Sequence, residues 1–161
     1  MQSVTSKTTS INKTKLPAIY NKIDWDALQV LRGRNVLDYG CGRYTDHVKA
    51  FVESKGFTYT GYDPYWKQDF DWSKHYDVVI CSNVLNVIDD DAEMEHVHTT
   101  VRSFNVPYFI TVYEGDGKGE GRQTGPDSYQ RNQKTIEYAK RNECVCKKVL
   151  TKPLWADLFL K

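Results

Sequence analysis

The segment Val36-Leu37-Asp38-Tyr39-Gly40-Cys41-Gly42 ends a short apolar run on an acid and then sets two glycines one residue apart. Glycines at a strand-to-helix turn let a ligand approach the backbone, and the free N–H groups that open the next helix favour an anionic group. Asp38 beside that turn opposes a phosphate but suits an ammonium. The ligand that fits therefore carries both an ammonium and a carboxylate, as an amino acid does. Asp63 closes a second run, Thr58-Tyr59-Thr60-Gly61-Tyr62, where a carboxylate can accept hydrogen bonds from the hydroxyls of a ribose. A dinucleotide fingerprint requires G-x-G-x-x-G, and Thr45 stands at the third glycine position.

Several elements must hold these residues. Asn35 to Tyr39 reads as a strand, and Thr45 to Lys55 as a helix with Val48, Phe51 and Val52 on one face and Gly56 as its stop. Thr58 to Tyr62 is a second strand. Tyr76 to Cys81 is a third, whose four consecutive apolar residues imply burial on both faces. Asp90 to Phe104 reads as a helix with Met94, Val97, Val101 and Phe104 inward, and Pro107 to Tyr113 as a fourth strand. Alternating strands and helices imply right-handed crossovers and a doubly wound α/β sheet, mostly parallel, with helices on both faces. The interval from Asp63 to Asp77 leaves no room for a full helix. Before the first strand, Leu16 to Leu31 reads as two short helices, with Asp24 as an N-cap and Gly33 as a stop.

Further along, residues 114–127 hold five of the ten glycines and no apolar anchor, so a mobile loop is expected. A helix from Ser128 to about Arg141 is expected next. Cys144 to Leu150 and Leu154 to Leu160, joined at Thr151-Lys152-Pro153, read as a C-terminal antiparallel hairpin. Residues 1–15 are polar and basic and read as a flexible arm, leaving one domain over 16–161.

Composition excludes several classes. The formal net charge of +1 announces neither a nucleic-acid coat nor a polybasic membrane binder, although residues 35–113 carry net −6 between basic ends. No apolar run approaches the roughly 20 residues needed to span a bilayer, and the N-terminus lacks a signal-peptide core, so a cytoplasmic protein is expected. Cys144-Val145-Cys146 has no second pair to complete a zinc shell, and structural roles are expected for all four cysteines, Cys41, Cys81, Cys144 and Cys146. No metal site is expected, and His96 and His98 read as surface or packing residues.

Leu37-Asp38-Tyr39-Gly40-Cys41-Gly42, then Gly61-Tyr62-Asp63-Pro64, then Tyr76-Asp77-Val78-Val79-Ile80-Cys81-Ser82-Asn83-Val84-Leu85 resemble, in order, the motifs of the class I S-adenosylmethionine-dependent methyltransferases. The resemblance covers roughly residues 33–113 and implies a Rossmann-like sheet. It implies that Asp38, Tyr39, Gly40 and Gly42 cradle the methionine end of S-adenosylmethionine and that Asp63, with Pro64, holds the ribose. Asn83 and its neighbours then border the methyl group, and Asp69 or Asp71 stands nearest the adenine. Trp66 and Trp72 are candidates to pack beside that base, and Lys13 and Lys15 to reach the cofactor carboxylate.

The acceptor is not named by these motifs. Methyl transfer displaces an activated sulfonium, so alignment and exclusion of water matter most and a general base is optional. The turn Ser82-Asn83-Val84-Leu85 lacks the Pro-Pro-aromatic grip of amino-methylating DNA enzymes, and Cys81 follows Ile80 rather than the proline of cytosine-C5 enzymes. The glycine-rich loop has the composition of a lid, and the segment after it resembles the tail of small methyltransferases found beside DNA-modification genes and in phages. Arg122, Gln123, Tyr129, Gln130 and Arg131 are the candidates to contact an acceptor, which is a nucleic acid, a small molecule or a protein. A non-catalytic cofactor-binding module and a cofactor-degrading enzyme are the alternative readings.

Overall fold

Hydrophobic alternation organises the chain around one sheet. The computed structural model describes residues 14–141, 146–147 and 154–159, so the expected arm with Lys13, Cys144 and the 151–153 link lie outside the described residues. The first four strands are β1 (Asn35–Tyr39), β2 (Thr58–Tyr62), β3 (Val78–Ser82) and β4 (Tyr108–Tyr113), all mutually parallel. Helix α1 (Asp46–Ser54) joins β1 to β2, and helix α2 (Asp91–Ser103) joins β3 to β4. Two-stranded β5 (Arg122–Gly125) and β6 (Ser128–Gln130), helix α3 (Thr135–Arg141), and strands β7 (Cys146–Lys147) and β8 (Leu154–Phe159) follow. The main sheet runs β2-β1-β3-β4-β8-β7, and β8 and β7 add antiparallel, as the C-terminal hairpin expectation required. Strand order reverses between β1 and β3, which is the switch point where a doubly wound sheet opens a crevice.

Both faces are covered. Val78 and Ile80 of β3 join Val36, Val48 and Val52 in one core with α1, while Val79 and Cys81 join Leu37, Met94 and Val101 in the other with α2. Strand β3 is thus buried on both sides, which explains its unbroken apolar run. Asp90 caps α2, accepting Glu93 N–H at 2.8 Å. His98 is buried edge-on to Tyr108, and no helix among the described residues is long and apolar enough to cross a membrane.

The β2–β3 crossover holds no helix, and aromatic rings cover the sheet in its place. Phe70 stacks on Tyr76 (5.4 Å between centroids, 12°), and Trp72 stacks on Phe104 (6.3 Å, 14°), with Tyr62 and Tyr39 completing the layer. Phe104 caps the C-terminus of α2, at the amino edge of the parallel strands. Trp72 therefore belongs to the face cover, and its ring also lies 5.7 Å from that of Tyr62, the last residue of β2.

Two expectations are corrected and one is refined. The 16–31 segment forms the two short helices expected, each a single 3₁₀ turn, Ala18–Asn21 and Ala27–Val30. Their apolar side chains Ile19, Tyr20, Ile23, Trp25 and Leu28 each drop into the α1-side core, and that packing, together with Trp25 Nε1 donating to Tyr20 O (2.9 Å), overrides helical propagation. The expected mobile loop contains β5, and the expected helix from Ser128 begins only at Thr135. Pro126-Asp127 makes a two-residue turn that pairs the flanking strands, and Asn132 at φ 55° breaks any helix before Thr135.

Because Tyr76 is 2% exposed and carries the stack on Phe70, Tyr76→Ala should lower stability by roughly 3–5 kcal/mol, the range for a large aromatic truncation, as read by urea unfolding.

Candidate active site

Parallel pairing brings the two acids and the glycine turn to one edge. Asp38 lies opposite Gly61 and Tyr39 opposite Tyr62, so β1 and β2 end together. The turn after β1 is then tied to β2. Gly40 N–H and Cys41 N–H both donate to Tyr62 O (2.7 and 2.9 Å), and Gly42 N–H donates to Asp63 Oδ2 (3.0 Å). Asp63 Oδ1 accepts Tyr65 N–H (2.9 Å) and Trp66 N–H (3.2 Å), which folds the chain after β2 into a tight turn. One lone pair on Asp63 Oδ2 remains for a ligand hydroxyl.

Gly40 adopts φ +84°, and a side chain there would collide with Val84, which leaves β3 across the switch point. Glycine is required at this position by both conformation and contact. Gly42, at φ +74°, faces open space, which leaves a bare backbone cradle beside Asp63.

Asp38 is buried toward the α1-side core, where Tyr59 Oη donates to its Oδ2 at 2.6 Å. The buried Tyr20 hydroxyl bears on the same carboxylate. Burial pushes the Asp38 carboxyl up to about 6, the two tyrosine hydroxyls hold it down, and the nearby Asp63 charge raises it. No basic side chain among the described residues pairs with it. A buried carboxylate without a cation is a fitting seat for an ammonium. Burial also pushes the Cys41 thiol well above its usual range, which keeps it protonated and inert as a nucleophile.

Asn83, directly after β3, stands at φ 56°, its N–H donating to Thr111 O (2.8 Å), and its buried Oδ1 meets no donor among the described residues. Asp38, Gly40, Gly42 and Asp63 are thus brought to the carboxyl ends of β1 and β2, and Asn83 follows the end of the neighbouring β3. The other expected cofactor residues are distributed around them. The Tyr39 ring is buried in the aromatic cover, 4.9 Å from Tyr62, so only its backbone faces the turn. Pro64 is exposed, its carbonyl accepting Gln68 Nε2. Asp69 is exposed on the crossover, while Asp71 is engaged by Ser73 N–H (2.9 Å) and Ser73 Oγ (2.5 Å). Trp66 stands at the carboxyl edge with the Arg43 guanidinium 5.0 Å from its ring. Lys15 is exposed, and its carbonyl accepts from His47 Nε2 (3.2 Å), which brings the N-terminal segment past the start of α1.

Residues 22–146 match the family model for a methyltransferase domain. The chain belongs to that family. In architecture this methyltransferase is similar to the Burkholderia thailandensis 1,6-didemethyltoxoflavin N1-methyltransferase solved with 1,6-didemethyltoxoflavin and S-adenosylhomocysteine (TM-score 0.57, 15% identity, 89% of this chain and 81% of that one). It is also similar to the glycopeptide N-methyltransferase MtfA solved with sinefungin (TM-score 0.53, 10% identity, 98% and 100% covered). DhpI, in a complex with SAM and HEP, resembles it as well (TM-score 0.50, 14% identity, 92% and 90%). At such identities the likeness is one of fold, that of a class I methyltransferase. No curated protein matches the chain.

The acceptor-side candidates divide. Arg122 is exposed on β5, and Tyr129 is half-buried with its hydroxyl against Gly121. Gln123 Nε2 donates to Gly125 O (2.9 Å) and holds the hairpin turn. Gln130 and Arg131 are corrected from acceptor contacts to framework. Gln130 bridges Asn86 and Tyr113 (3.1 and 2.9 Å). Arg131 donates to Ile88 O, to Asp89 O (3.0 Å) and to Asp91 Oδ1 (2.8 Å), leaving its guanidinium buried between the hairpin and the start of α2.

Sequence reasoning missed Tyr20, Tyr59 and Asn86. Tyr59 carried a usable signal, because it stands two residues before Gly61 and so shares a sheet face with the residue beside Asp38. Tyr20 carried none.

The native Asp38 carboxyl holds its proton up to about 6, against 3.8 for an unperturbed one. The stability this contributes is present in full below the unfolded value and is lost as pH rises through about 6. Relative to Asp38→Asn, the wild-type unfolding free energy should therefore fall between about pH 4 and about pH 6 and level off above about pH 7, as followed by denaturation across that range. Separately, Arg131→Ala should lower stability by roughly 2–3 kcal/mol, the loss of hydrogen bonds from a charged donor, whereas Arg122→Ala should stay within about 0.5 kcal/mol in the same melts.

Proposed function

We propose that this methyltransferase binds S-adenosylmethionine across the carboxyl edge at the β1/β3 switch point and passes its methyl group to an acceptor lying between the loop after β3 and the β5–β6 hairpin. When bound, the cofactor supplies a methyl group already activated on a sulfonium. The observation that carries the reading is the junction of Gly42 and Asp63: a bare, open glycine whose N–H is fixed on a carboxylate that keeps one free acceptor site.

In this reading Asp63 accepts from the ribose, and Asp38, held by Tyr59, receives the ammonium of the amino-acid end. The backbone of Tyr39, Gly40 and Gly42 lines the methionine end, Pro64 and Trp66 border the base, and Asp69 is the acid on that side. Asn83 stands beside the methyl group. Because both carboxylates are anchored by hydrogen bonds before any ligand arrives, the cofactor meets a preorganised edge, which limits the ordering cost of binding. Arg122 and Tyr129 are the hairpin residues left to meet the acceptor. The free thiols of Cys41 and Cys81 agree with a reducing, cytoplasmic setting.

Calorimetry with S-adenosylhomocysteine tests this. Wild-type protein should bind it, and Asp63→Ala should weaken binding by roughly 1.5–3 kcal/mol, the range for hydrogen bonds to a charged group. Absence of binding to the wild type would remove the reading, and an unchanged affinity in the variant would remove the ribose contact.

A further inference from the structure

Tyr59 lies opposite Val36 in the β1–β2 ladder, one pleat before the Asp38–Gly61 pair, so it stands diagonal to Asp38 on the same sheet face. Gly61 keeps the path between them clear. A side-chain carbon at Gly61 would stand 2.8 Å from Cys41 Sγ and 3.4 Å from Tyr59 Oη. The phenol thus passes beside bare backbone and donates to Asp38 Oδ2 at 2.6 Å. Burial and the Asp38 charge push the Tyr59 phenol far above its ordinary range, so it stays a donor wherever the protein is folded.

The other oxygen, Asp38 Oδ1, accepts no hydrogen bond among the described residues, yet it is not sealed as Asn83 Oδ1 and Asn86 Oδ1 are. It therefore belongs to the 4% of the residue that solvent still reaches. The titratable groups that act on this carboxylate are Tyr20 from the N-terminal segment, Tyr59 and Asp63 from β2 and its end, Cys41 from the glycine turn and Cys81 from β3. None of them is a cation. Burial holds both phenols and both thiols protonated, so an ammonium arriving at Oδ1 meets a carboxylate with no competing partner.

We propose that Tyr59 is a positioning residue for the cofactor: by engaging Oδ2 it fixes Asp38 so that Oδ1 is left to accept the ammonium of the amino-acid end, and it thereby sets the pH below which that end is released. This rests on the S-adenosylmethionine-binding reading above. Tyr59 acts on charge as well as on direction. Its hydrogen bond favours the ionised carboxylate and opposes burial, which pushes Asp38 up to about 6. Above that pH the ionised Asp38 attracts the ammonium, and below it the protonated acid does not. Cofactor uptake at acid pH is therefore coupled to the release of one proton from Asp38.

Calorimetry on the full chain from about pH 5 to about pH 8 tests this with two ligands. One is S-adenosylhomocysteine, and the other is 5′-methylthioadenosine, which has the adenosine and a thioether but no amino-acid end. For the wild type, affinity for S-adenosylhomocysteine should fall by roughly tenfold per pH unit below about 6, while affinity for 5′-methylthioadenosine stays level. Tyr59→Phe, which keeps the ring, should move the onset of that fall upward by roughly one pH unit, and Asp38→Asn should abolish the fall. A flat wild-type profile with S-adenosylhomocysteine, or an onset unmoved in Tyr59→Phe, overturns the proposal. So does a Tyr59→Phe variant that loses affinity for both ligands equally at every pH, because its role is then structural. Binding of neither ligand to the wild type is the separate outcome that removes the cofactor reading itself.

Discussion

The carboxyl edge of the sheet takes its shape from the end of β2, which grips the turn after β1. Tyr62 O takes two successive amides of that turn, and the Asp63 carboxylate takes the third, while its other oxygen closes the chain that follows. Five backbone donors that would otherwise be left unsatisfied beside a sheet edge are absorbed by one carbonyl and the two carboxylate oxygens of the residue that follows it. With the turn held this way, Gly40 takes a positive φ and Val84 closes on it. Remove the grip and the remaining site residues have no common frame.

Asp38 adds an electrostatic constraint to that frame. A carboxylate buried on the α1 side is tolerable because Tyr59 donates to it and Tyr20 bears on it, yet burial still dominates and lifts its titration to about 6. Such a group stands ready for a cationic ligand, at the expense of stability near neutral pH. After β3, Asn83 and Asn86 keep buried oxygens that meet no donor among the described residues. Stability is recovered away from the edge, in the aromatic cover that replaces a crossover helix and in the Arg131 clamp that binds the hairpin to the start of α2.

Legibility in the sequence followed the range of the interaction. The strand β3 was readable because four apolar residues in a row admit little besides a doubly buried strand, and α2 because Asp90 announces its cap and the apolar residues keep a helical period. The glycine turn and Asp63 were readable because their spacing is local and their chemistry narrow. The 3₁₀ character of the two short helices at 16–31 and the course of 114–134 were not. Apolar residues at 16–31 recur with helical spacing yet serve as separate plugs into a core made by β1, β2 and α1, and the glycine-rich stretch finds its anchor in Asn132 and Asn86, which lie far from it in sequence or beyond its end.

By itself the sequence determined the alternation of elements, the doubly wound sheet and the identity of the acid–glycine–acid constellation, because these rest on periodicity and on turn chemistry within a few residues. Tertiary structure alone decided that Tyr59 holds Asp38, that Gln130 and Arg131 are bonded into the framework, and that Trp72 covers the sheet face. Each of those outcomes depends on which distant side chain arrives to satisfy a buried polar group or a ring, and no local pattern encodes that partner.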